Sequence, residues 1–135
     1  MKDCIFCKIV RNEIPSHKIY EDEYVYAFLD VSPSTKGHTL VIPKKHVQDI
    51  FDMDSKTAEK VFSVVPKICN ALKSSFNPIG LNIVNNNQKP YQAVFHHHIH
   101  LVPRYDNDGY VIKGDTKNYT QDELGKIKEE IQKNI

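Results

Sequence analysis

The chain has no apolar run long enough to span a bilayer, and its opening residues lack the apolar stretch of a secretion signal. It has no block of one charge sign either: 18 lysines and arginines face 17 acidic residues, leaving a formal charge of +1. That excludes an extended nucleic-acid footprint and a membrane partner, so any nucleotide partner is expected to be small and held locally. Cysteine is scarce. Three cysteines without a secretion signal exclude a disulfide framework and point to the cytoplasm. Internal repeats and low-complexity tracts are missing as well. What remains is 135 residues, 40% hydrophobic and 26% charged, enough for one core but not two. A single domain over residues 1–135 is expected.

Histidine is what the chain does have, with four of its seven in the stretch Phe95-His96-His97-His98-Ile99-His100-Leu101-Val102. Read as a strand over residues 93–102, it puts His96, His98 and His100 in one row and Phe95, His97, Ile99 and Leu101 in the other. The apolar members of the second row place it against a core, leaving three imidazoles on one accessible face. Neighbours two apart are ~6.5–7 Å apart at the backbone, so their side chains can share a ligand. Two chemistries fit this row. Three imidazoles can bind zinc with an open position for water. Alternatively, the central His98 is a nucleophile and its neighbours manage an anion's charge and protons. Phosphorus suits such a nucleophile, because the phosphoramidate-type adduct is labile enough to hydrolyse.

The rest of the pattern gives an α+β layout with a mainly antiparallel sheet. Strands are expected at 18–20, 24–29, 38–43, 81–84 and 93–102, the last two paired antiparallel across a short loop. A long helix starts at Asp54 or Ser55 and runs to about Ser75, with Val61, Phe62, Val65, Ile68 and Leu72 as its apolar stripe. Pro66 should remove one hydrogen bond and bend it. A second helix follows a polar stretch, opened by a capping box of Thr120 and Glu123. Cys4-Ile5-Phe6-Cys7 has metal-ligand spacing. A redox Cys-x-x-Cys is expected at a helix N-terminus beside a βαβ pattern, which the sequence does not display. Cys69 reads as a small buried residue, and His17 and His38 as local hydrogen-bonding groups.

His-x-His-x-His followed by two apolar residues resembles the signature of the histidine triad (HIT) superfamily of nucleotide hydrolases and transferases. Cys4-Ile5-Phe6-Cys7, Ile14-Pro15-Ser16, Phe28-Leu29-Asp30, the run from Lys36 to His46, Asn82-Ile83-Val84-Asn85 and Gln92-Ala93-Val94-Phe95 resemble the family's remaining pattern. The likeness spans about residues 4–104 and points to the Hint-like (protein kinase C-interacting-protein-like) branch, of the bacterial zinc-carrying type. It implies a HIT fold with five strands, one long central helix and a C-terminal helix. It implies that His98 attacks the α-phosphorus of a nucleotide to give a nucleotidyl-histidine, with His100 near the phosphate oxygens. Gln92 and the amides at Ala93 and Val94 would steady the developing charge. Asp30 matches the ribose position, Ile5, Phe6 and Phe28 the base pocket, and Asn85 a phosphate-side residue. Structural zinc on Cys4, Cys7, His46 and His96 is implied, as is a homodimer. The resemblance suggests purine nucleoside phosphoramidates or AMP–amine conjugates as substrates. Dinucleoside polyphosphate hydrolysis and a nucleotide-binding or interaction module are the rival readings. The chain departs from the family at His97, usually apolar or aromatic, at Ala93, often Ser, and at Tyr91, commonly Gly.

Overall fold

A computed structural model describes residues 3–135. Five strands form one antiparallel sheet in the order β1-β2-β3-β5-β4. These are β1 (Lys18–Glu21), β2 (Val25–Leu29), β3 (Thr39–Pro43), β4 (Gly80–Val84) and β5 (Ile99–Arg104). The central strands read as unbroken apolar runs because helices cover both faces. On one face, Val25, Ala27, Val41, Ile99 and Leu101 pack against Val61, Val64, Val65, Ile68 and Leu72 of helix α2 (Ser55–Phe76). On the other, Tyr26, Phe28, Leu40 and Ile42 meet Phe6 and Ile9 of a short helix α1 (Ile5–Val10).

Helix α2 begins where the sequence says it should. The Asp54 carboxylate accepts from the Thr57 N–H, and Asn77 ends the helix in the left-handed region. It runs through Pro66, which lies on the solvent side, where water can satisfy the carbonyl left without a donor. The stripe needs one correction: Val64 is buried, while Phe62 is largely exposed. Helix α3 (Gln121–Gln132) opens on the Thr120–Glu123 capping box and buries none of its residues. Among the described residues no helix is long and apolar enough to cross a membrane.

The loop before β3 is shaped by Gly37, whose φ of +90° lies where side chains are strained. Its Cα also packs so closely on α2 that a Cβ there would stand 3.1 Å from the Phe76 ring. Thr35 Oγ1 donates to the Pro103 carbonyl, tying this loop to β5.

The expected strand over 93–102 forms only from Ile99 onward. Residues 93–98 leave the ladder, and their polar groups find separate partners. The His97 N–H donates to the Val47 carbonyl at 2.6 Å. The imidazoles of His96 and His98 each take a main-chain carbonyl. The three imidazoles therefore do not share an accessible face: His96 and His98 are buried, and only His100 is half-buried. In the second row His97, Ile99 and Leu101 are buried as expected, but Phe95 is 40% exposed.

Candidate active site and metal group

A pocket of about 260 Å³ opens on the α1 face of the sheet. Ile5, Phe6 and Phe28 form its apolar wall, Asp30 one rim, and Ala93, Val94, His98 and His100 the opposite side. Residues from three distant parts of the chain meet here because β5 pairs with β3 in register, Leu40 opposite His100.

The hydrogen bonds fix which ring nitrogen carries each proton. A main-chain carbonyl can only accept, so His98 Nδ1 donates to the His96 carbonyl at 2.8 Å. In the neutral ring that leaves Nε2 with a free lone pair. Burial lowers the proton affinity of His98, so the ring is neutral at pH 7, with the Asp30 carboxylate partly opposing the shift. The Asn85 amide holds the His98 carbonyl at 3.0 Å, locking the residue's main chain.

His38, expected to make only local hydrogen bonds, does more. Its Nδ1 accepts from the Ser34 N–H at 3.0 Å, which obliges the proton onto Nε2. Nε2–H then donates to His100 Nδ1 at 2.9 Å, and the proton of His100 sits on its own Nε2. Burial, followed by the neighbouring His98 and His38, pushes His100 down to about 4. Asp30, His38 and His100 lie close enough to suggest a metal group. The proton on His38 Nε2 argues against that and for a relay of hydrogen bonds. His38 lies two residues before Leu40, the partner of His100 across the ladder, a register that alternation within one strand does not reveal.

Two predicted residues do not line the pocket. The Gln92 side chain accepts from the Gln88 N–H and donates to the Gln48 carbonyl, so it braces the loop that presents Ala93 and Val94. Asn85 acts on the main chain of His98 from behind.

His96 belongs to a second group. Cys4, Cys7, His46 and His96 each offer one ligand atom, and these atoms lie within 4.8 Å of one another. His96 Nε2–H donates to the Pro43 carbonyl at 2.8 Å, turning its Nδ1 lone pair toward both sulfurs, at 3.4 and 3.5 Å. His46 Nδ1 lies 3.4 Å from the Cys7 sulfur. Tetrahedral zinc with ordinary bond lengths requires sulfur–nitrogen separations of about 3.5 Å, which these three distances match, so the donor set suits the ion. The sequence did not reveal that Cys4 caps a helix, its sulfur accepting from the Cys7 N–H.

The HIT domain family profile matches residues 11–107. The chain belongs to the HIT family. This HIT protein is 48% identical to the "Protein hit" of Bacillus subtilis over 99% of its own length and 95% of that relative's. It is 38% identical to the adenosine 5'-monophosphoramidase HNT1 of Saccharomyces cerevisiae, over 95% and 80%. Its fold matches that of a HIT family protein from Bacillus anthracis with a TM-score of 0.92 at 51% identity, covering 98% of this chain and 97% of the other. A zinc-bound histidine triad family protein from Mycobacterium smegmatis matches with a TM-score of 0.76 at 39% identity, covering 86% and 85%.

Proposed function

We propose that this HIT protein hydrolyses purine nucleoside phosphoramidates, or AMP joined to an amine, at the α-phosphate through a nucleotidyl-His98 intermediate. That it is a nucleotide hydrolase in the broad sense follows from its family and from relatives such as the yeast monophosphoramidase. The narrower reading is supported by one observation above the others: the His98 Nδ1–H bond to the His96 carbonyl, which frees Nε2 in a pocket wall.

In this mechanism His98 Nε2 attacks the α-phosphorus. The ring gains positive charge as the bond forms, and its Nδ1–H bond to a fixed carbonyl dipole stabilises that charge. The leaving nitrogen takes its proton from a water that accepts from the His100 Nε2–H as the phosphorus–nitrogen bond breaks. The hydroxide so formed attacks the adduct, releases the nucleoside monophosphate and restores neutral His98. The main-chain amides at Ala93 and Val94 receive phosphoryl oxygens, and Gln92 positions them. Asp30 accepts the ribose hydroxyls, and Ile5, Phe6 and Phe28 sandwich the base. An apolar pocket of this kind accepts adenine or guanine.

Cys4, Cys7, His46 and His96 hold zinc in this reading. Four protein ligands close the site, so the ion serves structure and pins α1 to the segment before β5. The proposed protein is a cytoplasmic homodimer. Wild type should release AMP from adenosine 5′-phosphoramidate faster than it cleaves diadenosine tetraphosphate or ATP. His98→Ala should lower turnover at least ~10³-fold while AMP still binds. Unchanged turnover in His98→Ala excludes the covalent route, and preference for the dinucleotide replaces the substrate class.

A further inference from the structure

The first turn of α1 serves two sites at once. Cys4 and Cys7 contribute sulfur to the metal group, while Ile5 and Phe6 between them line the nucleotide pocket. The Phe6 ring stands edge-on to both His96 and His98, at centroid distances of 5.9 and 5.2 Å. Whatever moves this turn moves the pocket wall and the packing around the nucleophile together.

One sulfur of the pair, that of Cys4, is also reachable, while Cys7 is buried behind it. A cleft of about 670 Å³ opens beside the metal group, lined by Asp3, Cys4, His46, Gln48 and Phe95 among others. Cys4 is half-buried there. Both sulfurs converge on one point, at 3.4 and 3.5 Å from His96 Nδ1. Cys69 lies apart, in α2 against the opposite face of the sheet.

We propose that Cys4 and Cys7 are an oxidation site for hydroperoxides, at which disulfide formation expels zinc and disassembles the nucleotide pocket. This rests on the zinc reading above. The Cys4 thiolate attacks the terminal peroxide oxygen, giving a sulfenic acid and the alkoxide, or hydroxide when the oxidant is hydrogen peroxide. The Cys7 thiolate then attacks the Cys4 sulfur, forming the disulfide and releasing hydroxide. Two thiolates lose two electrons and the peroxide gains them. Both sulfur–zinc bonds are lost, and two imidazoles alone hold the ion too weakly to retain it. With Cys4 and Cys7 joined to each other, the tie between α1 and the imidazoles of His46 and His96 is lost, and Ile5 and Phe6, which lie between the two cysteines, move with the turn.

The test uses the full chain as purified, assayed for zinc before any oxidant is added. Hydrogen peroxide is then titrated in while a chromogenic chelator reports released zinc, peptide mass mapping locates disulfides, and calorimetry measures AMP affinity. One zinc per chain should leave in step with one Cys4–Cys7 disulfide, with Cys69 still a thiol. AMP affinity should fall at least tenfold and return with reductant and added zinc. A Cys69→Ser variant should respond identically. Zinc retained while other side chains oxidise, or zinc lost with AMP affinity unchanged, overturns the proposal and leaves the zinc reading intact. Freshly purified protein without zinc overturns both.

Discussion

His97 offers the sharpest check on how this fold is held together. It is 1% exposed, and neither ring nitrogen has a hydrogen-bond partner among the described residues. A buried polar group left unpaired costs about 1–3 kcal/mol. Replacing it with leucine, close to it in volume, recovers that cost less any repacking strain, which is under about 1.5 kcal/mol for such swaps. His97→Leu is therefore expected to stabilise the protein by about 1–2 kcal/mol at pH 7.5, raising Tm by roughly 3–7 °C for a chain of this size. The effect should grow in acid. Burial, together with the neighbouring His98, pushes His97 down to about 4 despite the nearby Asp49. The unfolded chain, with its ordinary value near 6.5, takes up the proton first. Stability tied to the neutral ring is thus complete above about pH 6.5 and lost as pH falls toward 4. By pH 5 the wild type should have lost about 2 kcal/mol more than the variant. Urea unfolding of both proteins at pH 7.5 and pH 5 measures this directly. A variant less stable than wild type, or a difference that does not widen in acid, refutes the reasoning.

Removing the relay with His38→Phe should lower kcat about 10²-fold while changing KM little, because His100 loses the donor that fixes its proton on Nε2; steady-state kinetics separate the two. Asp30→Asn should reduce kcat/KM for a ribonucleotide about tenfold or more, with little loss for a 2′,3′-dideoxy analogue. Because burial depresses both His98 and His100, the acid-side inflection of kcat/KM should lie below 6.5; a pH–rate profile that halves at 6.5 contradicts the buried, neutral pair. Cys4→Ser with Cys7→Ser should lose one zinc equivalent per chain by metal analysis and melt at lower temperature.

Most strands and both long helices were legible, because each repeats a local signal. Asp54 and Asn77 bracket α2, and Thr120 with Glu123 opens α3. The helix at Ile5–Val10 was not legible: six residues are too few to show a period, and a cysteine sulfur acts as the cap where Ser or Asp would announce one. The early end of the β5 ladder was hidden for a different reason. Alternation predicts a strand as long as side chains have faces to occupy, but here the chain bends so that His96 and His98 can reach carbonyls of Pro43 and His96. Periodicity carries no information about such side-chain-to-backbone bonds. The same limit put His96, His98 and His100 in one row, when the structure gives His96 to the sulfurs and leaves only the other two to the pocket. His38 escaped notice as part of the site because its two partners are Ser34 in its own loop and His100 across the sheet.

Gly37 lies outside the pocket, yet it lets the chain turn between Ser34, whose N–H sets the His38 proton, and His38 itself, which reaches His100 from just before β3. A methyl group there would face both a disfavoured φ and the Phe76 ring, and the turn would have to shift. Such a shift leaves the apolar wall and His98 in place and misaligns only His100. Inheritance of substitutions in this loop would therefore split the two halves of the enzyme's performance: variants would still hold nucleotide, and pass a selection for binding, while their catalytic cycle stalled. The evolutionary constraint on the active site accordingly extends to a glycine that the substrate never meets.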